Sequence, residues 1–148
     1  VTELAARGSS EASWREFELL VAEVVRRSDP LATVEHDQRL RGRSGKLRQI
    51  DVLARGKVAG EEILIVVECK DHGRPVGVAE VEAFLGKLLD VAADKGVLFS
   101  SSGYTDGAVR RMESTTHPRI NAYGYFRPAA RERHYEEILD GEFWEPTA

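Results

Sequence analysis

The most apolar run of the chain, Ile63-Leu64-Ile65-Val66-Val67, holds five aliphatic residues, four of them β-branched, and predicts a buried strand. A shorter apolar segment, Ile50-Asp51-Val52-Leu53, lies upstream with a carboxylate inside it. The Gly- and charge-containing stretch 55–62 between them predicts a turn centred near residues 58 to 60, which would lay Asp51 beside Val66 through Glu68. Before these strands, Trp14, Phe17, Leu20, Val21, Val24 and Val25 recur at three- and four-residue steps. That stripe predicts a helix opened by a Ser13/Glu16 capping box, running to about Arg27 and stopped by Ser28-Asp29-Pro30. Residues Ala32 to His36 read as a first strand.

After Lys70 the polar turn Asp71-His72-Gly73-Arg74-Pro75 leads into a second helix, expected over Val78 to Asp94, with Gly96 just past its end. Gly96 to Ser100 is expected to be a short buried strand, and the small-residue loop 101–106 caps a third helix near Gly107 to Glu113. Ile120 to Phe126 reads as a last strand, and from about Pro128 a short amphipathic helix and an acidic tail are expected. Three consecutive strands followed by strand–helix–strand units imply an α/β fold with a mixed central sheet flanked by helices. The crossover through residues 78 to 100 would make its two strands parallel neighbours or near neighbours.

A chain of 148 residues fits a single domain with one core, expected at about 13–126, with 127–148 as a C-terminal extension of unknown role. No apolar run is long enough to span a bilayer, and the N-terminus lacks the hydrophobic stretch of a signal peptide. The single cysteine, Cys69, excludes an internal disulfide and a multi-Cys zinc site, and a cytoplasmic setting follows as the default. The start at Val rather than Met points to a processed chain or a fragment. The net charge of −4 argues against a protein that coats nucleic acid non-specifically. The distribution is less neutral. Arg39, Arg41, Arg43, Lys46 and Arg48 put five cations into ten residues directly before Asp51, with Gly42, Ser44 and Gly45 making the stretch a mobile loop. Such a loop is either a solvated surface or a phosphate contact, and its place ahead of a candidate metal carboxylate favours the second.

Glu68-Cys69-Lys70 ends the apolar strand and puts a carboxylate and an ammonium on one face of it. Charge is excluded from such a place unless it is paired or metal-bound. With Asp51 alongside, two carboxylates and a lysine converge, the minimal equipment for metal-assisted phosphodiester chemistry. The competing reading is a buried ion-pair network that fixes strand register. Other candidates are weaker. His36, His72, His117 and His134 show no metal-ligand spacing, and Ser100, Ser101 and Ser102 lack a nucleophile-elbow context. The serines are better placed to end a strand beside the site and donate to a DNA phosphate. There is no P-loop.

Four elements in order carry a resemblance. They are the helix with Phe17-Glu18, the strand entry Gln49-Ile50-Asp51-Val52, the strand end Val66-Val67-Glu68-Cys69-Lys70, and Lys95-Gly96-Val97-Leu98-Phe99-Ser100-Ser101-Ser102-Gly103-Tyr104-Thr105 after a helix. Together they resemble the Mrr-type restriction endonucleases of the PD-(D/E)xK nuclease superfamily, over roughly Trp14 to Met112. The resemblance implies a restriction-endonuclease-like αβββαβ core that hydrolyses phosphodiester bonds in DNA with a divalent cation, usually Mg²⁺, with Mn²⁺ as a substitute. It implies Asp51 and Glu68 as the metal-holding pair, Lys70 as the catalytic lysine, Glu18 as a helix-borne carboxylate completing the metal site, and Gln49 as a polar site residue. Glu18 is preferred to Glu16 because it follows the Phe directly and because Glu16 is accounted for by the cap. Ile50 stands where the fuller pattern has a proline.

The expected function is therefore a metal-dependent DNA endonuclease serving restriction or defence against foreign DNA. The alternatives are a nuclease-like DNA-binding module with weak or absent chemistry, or a structure-selective nuclease of the Holliday-junction type. Double-strand cutting would need a homodimer or two visits to the duplex. No recognition module for sequence or modified bases is evident, so one is expected elsewhere, on another domain or subunit.

Overall fold

The computed structural model describes the backbone of residues 2–125 and 143–144, and side chains over residues 13–125. The elements are α1 (Thr2–Ser28), β1 (Thr33–Arg41), β2 (Leu47–Val58), β3 (Glu61–Lys70), α2 (Val78–Asp90), β4 (Lys95–Ser100), α3 (Asp106–Glu113), β5 (Arg119–Tyr125) and β6 (Phe143–Trp144). The strands form one sheet in the order β1-β2-β3-β4-β5-β6. β1, β2 and β3 are antiparallel, β3, β4 and β5 run parallel, and β6 returns antiparallel on β5. This is the expected α/β architecture, a mixed sheet with helices on both faces. The parallel neighbours predicted by the crossover are β3 and β4, with Ile65 opposite Lys95.

Each strand shows its two faces to different layers. Phe17, Val21 and Ala22 of α1 pack on Val52, Val67, Cys69 and Phe99. On the other face Val81, Phe84 and Leu88 of α2, with Ala108 and Met112 of α3, cover Leu53, Val66, Leu98 and Ile120. Both clusters are closed to solvent, and each fully buried Val, Leu or Phe contributes roughly 1.5–3 kcal/mol by leaving water. α1 is thereby fixed on the sheet at the residue preceding Glu18.

The β2–β3 turn is tighter than predicted. Val58 pairs with Glu61, leaving Ala59 and Gly60 as a two-residue loop with φ of 53° and 83°. Positive φ at both central residues is the geometry whose twist matches antiparallel strands. β1 and β2 are likewise longer than their apolar segments, because exposed charged residues continue the ladder out to Arg41 and Leu47.

Two helix boundaries differ from the prediction. α1 begins at Thr2, so Ser13 and Glu16 lie well inside the helix and not at its start. The segment ahead of Ser13 contains Leu4-Ala5-Ala6-Arg7 and Glu11-Ala12, strong helix formers that extend the element backward. α2 stops at Asp90 rather than Asp94. Ala92 takes φ 56°, while its N–H donates to Leu89 O and Ala93 N–H to Leu88 O, a Schellman-type ending without glycine. Gly96 belongs to β4 instead, where a Cβ would run into Leu88 and Phe84. The helix expected after Pro128 lies outside the described residues. β6, within the expected extension 127–148, adds two residues to the edge of the sheet.

Candidate active site at the splayed end of β2 and β3

The β2–β3 ladder runs from Val58–Glu61 to Val52–Val67, and there the two strands part. Beyond that point β3 pairs with β4 alone, Glu68 lying opposite Leu98 and Lys70 opposite Ser100. β2 pairs with β1 alone, and the Asp37–Asp51 position is skipped between the His36–Val52 and Gln38–Ile50 pairs. Asp37 has φ 52°, a left-handed kink that Asp tolerates better than most residues. In the notch so opened, Asp51 Oδ2 accepts a hydrogen bond from Cys69 N at 2.8 Å. One carboxylate oxygen thus takes the place of a ladder bond and is aimed between the parted strands.

Four of the predicted site residues meet at this notch. Glu68 is buried on β3, its Oε1 2.5 Å from Lys87 Nζ and its Oε2 3.4 Å from Lys70 Nζ. Asp51 stands close enough to Glu68 and Lys87 to feel both charges. Glu18 reaches in from α1, 1% exposed, with Oε2 2.7 Å from His36 Nε2. Its other oxygen, Oε1, is buried with no hydrogen-bond partner among the described residues. Glu16 is exposed, so burial selects Glu18 even though the capping argument for it fails.

Crowded carboxylates in a dry place hold protons. Burial, then the Asp51 charge beside it, pushes the Glu18 carboxyl up to about 8. Burial also raises Asp51, against the lowering effect of the Cys69 N–H. Both shifts disfavour the doubly ionised pair. Cys69, on the opposite face of β3 from Glu68, is buried with its thiol pushed well up by desolvation, an unreactive packing residue as its position predicts.

The remaining predicted residues sit farther out. Gln49 is exposed and donates to Asp37 Oδ1 at 3.3 Å, at the rim and not on a site carboxylate. Arg39, Arg41, Arg43 and Lys46 are exposed on the β1–β2 hairpin, with Arg41 Nη1 on Gly45 O at 2.8 Å. The hairpin is not the free loop its glycines suggest. Gly42 N donates to Lys46 O at 2.8 Å, and Arg43 N donates to Asp90 O at the end of α2 at 2.8 Å. The Asp90 carboxylate accepts from Ser44 N, Ser44 Oγ and Arg48 Nε, each at 2.8 Å. Those donors hold Asp90 down to about 2, and a Cβ on Gly42 would occupy the carboxylate's position. Arg48 is thus committed to the protein. The serines after β4 are committed too: Ser100 Oγ bonds Gly103 O, Ser101 Oγ bonds Asp71 Oδ1, and Ser102 Oγ bonds His72 O. Ser101 and Ser102 tie down the turn after Lys70, and Ser100 the loop that follows β4, rather than offering free hydroxyls to a phosphate.

Three residues with a hand in the site had no sequence signal strong enough to find them. His36 was visible only as a scattered histidine. Lys87 and Asp90 sit on the edge of the α2 apolar stripe, where charged residues are ordinarily solvated.

A divalent cation suits this donor set. Asp51, Glu68 and Glu18 offer hard carboxylate oxygens in a buried place, and the repulsion that pushes Glu18 up is what a cation relieves. The side chains as they stand do not form a ready cage, and among the described residues no three His, Cys, Asp or Glu groups are arranged as one. The reason is visible in the pairings, since Lys87 and His36 hold oxygens of Glu68 and Glu18.

The Mrr catalytic-domain family model, a restriction endonuclease, matches residues 9–123. The chain belongs to the Mrr-type restriction endonuclease family. Among solved structures, it is similar to the DNA modification-dependent restriction endonuclease AspBHI, with a TM-score of 0.54 and 23% identity. That match covers 84% of this chain and 29% of AspBHI. The chain is also similar to the crystal structure of a protein of unknown function, AF1548, with a TM-score of 0.58 and 19% identity over 85% of this chain and 64% of that one. The chain thus spans less than two thirds of either structure. No curated protein matches significantly. The Mrr-type domain is a nuclease domain, and the structural neighbours share its fold. None of the described helices is long and apolar enough to cross a membrane.

Proposed function

We propose that this Mrr-type domain is a metal-dependent DNA endonuclease acting in restriction or defence against foreign DNA. The reading rests most on Glu18: a buried carboxylate set against Asp51 at the strand notch that also holds Glu68 and Lys70. An ion-pair network built only for register gains nothing from a second acid pressed against Asp51 in a dry place, where burial and that charge push the Glu18 carboxyl up to about 8.

In this reading Asp51 and Glu68, with Glu18 behind them, hold Mg²⁺, and Mn²⁺ substitutes. The bound cation supplies charge to polarise the scissile phosphate and to acidify a water. Lys70 is half-buried at the mouth of the notch, where its ammonium orients the attacking water or offsets charge gathering on the phosphate. Asp51 is held in place by the Cys69 N–H, so it needs no reorganisation when substrate arrives. Arg39, Arg41, Arg43 and Lys46 contact the DNA backbone. One site cuts one strand, so double-strand cleavage takes a homodimer or a second visit, and target choice rests with a recognition domain or subunit outside this chain. A cytoplasmic location accords with a restriction role.

Supercoiled plasmid, incubated with Mg²⁺ or Mn²⁺ and wild-type protein, is expected to become nicked or linear. Lys70→Ala and Asp51→Ala are expected to lose at least about 10²-fold in rate while still binding DNA. Equal nicking by all three proteins would reject the site. Salt-sensitive binding by wild type without metal-dependent cleavage would instead favour a DNA-binding module.

A further inference from the structure

Lys87 has no place in the site as so far proposed, yet it makes the shortest ion pair around it. Its ammonium lies 2.5 Å from Glu68 Oε1, and the side chain is 19% exposed against 27% for Lys70. Glu68 is therefore gripped at both oxygens, by a β3 lysine on one side and an α2 lysine on the other. Lys87 is in the last turn of α2, whose Phe84 and Leu88 are in the core, so helix packing fixes where its stem emerges. Its positive charge also acts on Asp51.

We infer that Lys87 is a resident counter-ion, occupying in the metal-free protein the cationic role at Glu68 that a divalent ion takes over. A buried carboxylate facing other carboxylates needs either a proton or a positive partner, and Glu68 has an ammonium 2.5 Å away. Lys70 is the longer and more exposed of the two contacts, so it does not meet that need alone. Lys87 supplies it, holding Glu68 in the notch and preventing the acidic cluster from unfolding the strand end. The same contact sets a threshold: an incoming cation must displace the ammonium from Oε1, and it meets a positive charge already in place. Lys87 is thus a positioning residue that raises the metal concentration required for loading. This rests on the metal-site reading above.

The test is Mn²⁺ binding without DNA, measured by titration calorimetry and by the rise in Tm from EDTA to Mn²⁺. Lys87→Met keeps the apolar stem and removes the charge. It is expected to bind Mn²⁺ at least about fivefold more tightly than wild type, because a repelling charge is gone. Its Tm is expected to be lower than wild type in EDTA and to rise more with Mn²⁺, as binding to the folded state alone requires. Lys87→Arg, retaining the charge, is expected to stay near wild-type affinity. Should Lys87→Met bind Mn²⁺ no more tightly than a wild type whose binding Asp51→Asn abolishes, the inference fails and the metal site stands. Absence of Mn²⁺ binding by the wild type would overturn the metal site and the inference together.

Discussion

Arg48 Nε and Asp90 Oδ2 lie 2.8 Å apart, joining the start of β2 to the last residue of α2. The same carboxylate binds Ser44, and the backbone of Arg43 donates to the Asp90 carbonyl. One turn earlier on that helix, Lys87 holds Glu68. Three helical residues advance only about 4.5 Å. The basic hairpin and the carboxylate notch are therefore registered to each other through a single turn of α2. A hairpin that contacts DNA phosphates would place the duplex relative to the notch only if this turn keeps them in register.

Asp90→Ala should release the hairpin without touching the notch. The expected result is weaker DNA binding, about tenfold in KM, with kcat changed much less, since misplacement rather than chemistry is the defect. The pH response has a definite sign. Asp90 is held down to about 2, below its ordinary range near 4, so its contribution is present above about pH 4 and fades as pH falls through 2. Steady-state cleavage kinetics check the first part. An unchanged KM would show that the hairpin needs no anchor to meet DNA.

The hairpin's exposed cations make a separate prediction. Neutralising Arg41 and Arg43 together should weaken DNA affinity at every sequence and flatten the slope of log K against log salt by roughly 0.9 for each phosphate no longer neutralised. Fluorescence anisotropy over a salt series measures it. A slope identical to wild type would remove both residues from the phosphate interface.

The strands were legible because their signal is local. Five consecutive aliphatic residues leave little alternative to a buried strand, and a short polar gap folds the two strands back so that Asp51 comes close to Val66 through Glu68. What was hidden depends on distant partners. Nothing near His36 announces Glu18, eighteen residues earlier on another element. Lys87 and Asp90 lie on a helix edge, where a charged side chain is ordinarily solvated, and only the folded sheet brings Glu68 and Arg48 to them. The five cations likewise looked equivalent in sequence, and packing sorted Arg48 from the rest.

Glu18 gives the site a pH signature. Its carboxyl is raised to about 8 from the ordinary value of 4.5, so burying it favours the protonated form. That contribution to stability is fully present below about pH 4.5 and is lost progressively as pH rises toward 8. In EDTA, the Tm of the wild type is expected to fall from pH 6 to pH 9 more than that of Glu18→Gln, which carries no ionisable group. Mn²⁺ should shrink the difference by neutralising the ionised carboxylates. Parallel Tm curves for the two proteins in EDTA would show that Glu18 is not buried in this state.

Ala92 and Gly96 carry the backbone roles that sequence alone had given to Gly96. At φ 56° Ala92 bears the strain of a left-handed residue at the end of α2, and Ala92→Gly should stabilise the fold by about 1 kcal/mol. At Gly96 the constraint is space, not dihedral angle. A methyl there meets Leu88 and Phe84, the two core residues that hold α2 on β4. Gly96→Ala should therefore cost about 1–3 kcal/mol, the usual penalty of overpacking. Because those residues sit on either side of Lys87 along the helix, the displaced α2 should also loosen the Lys87–Glu68 contact. Urea denaturation of the two variants gives the stabilities. A stable Gly96→Ala protein with wild-type cleavage would mean that α2 can shift on the sheet without disturbing the notch.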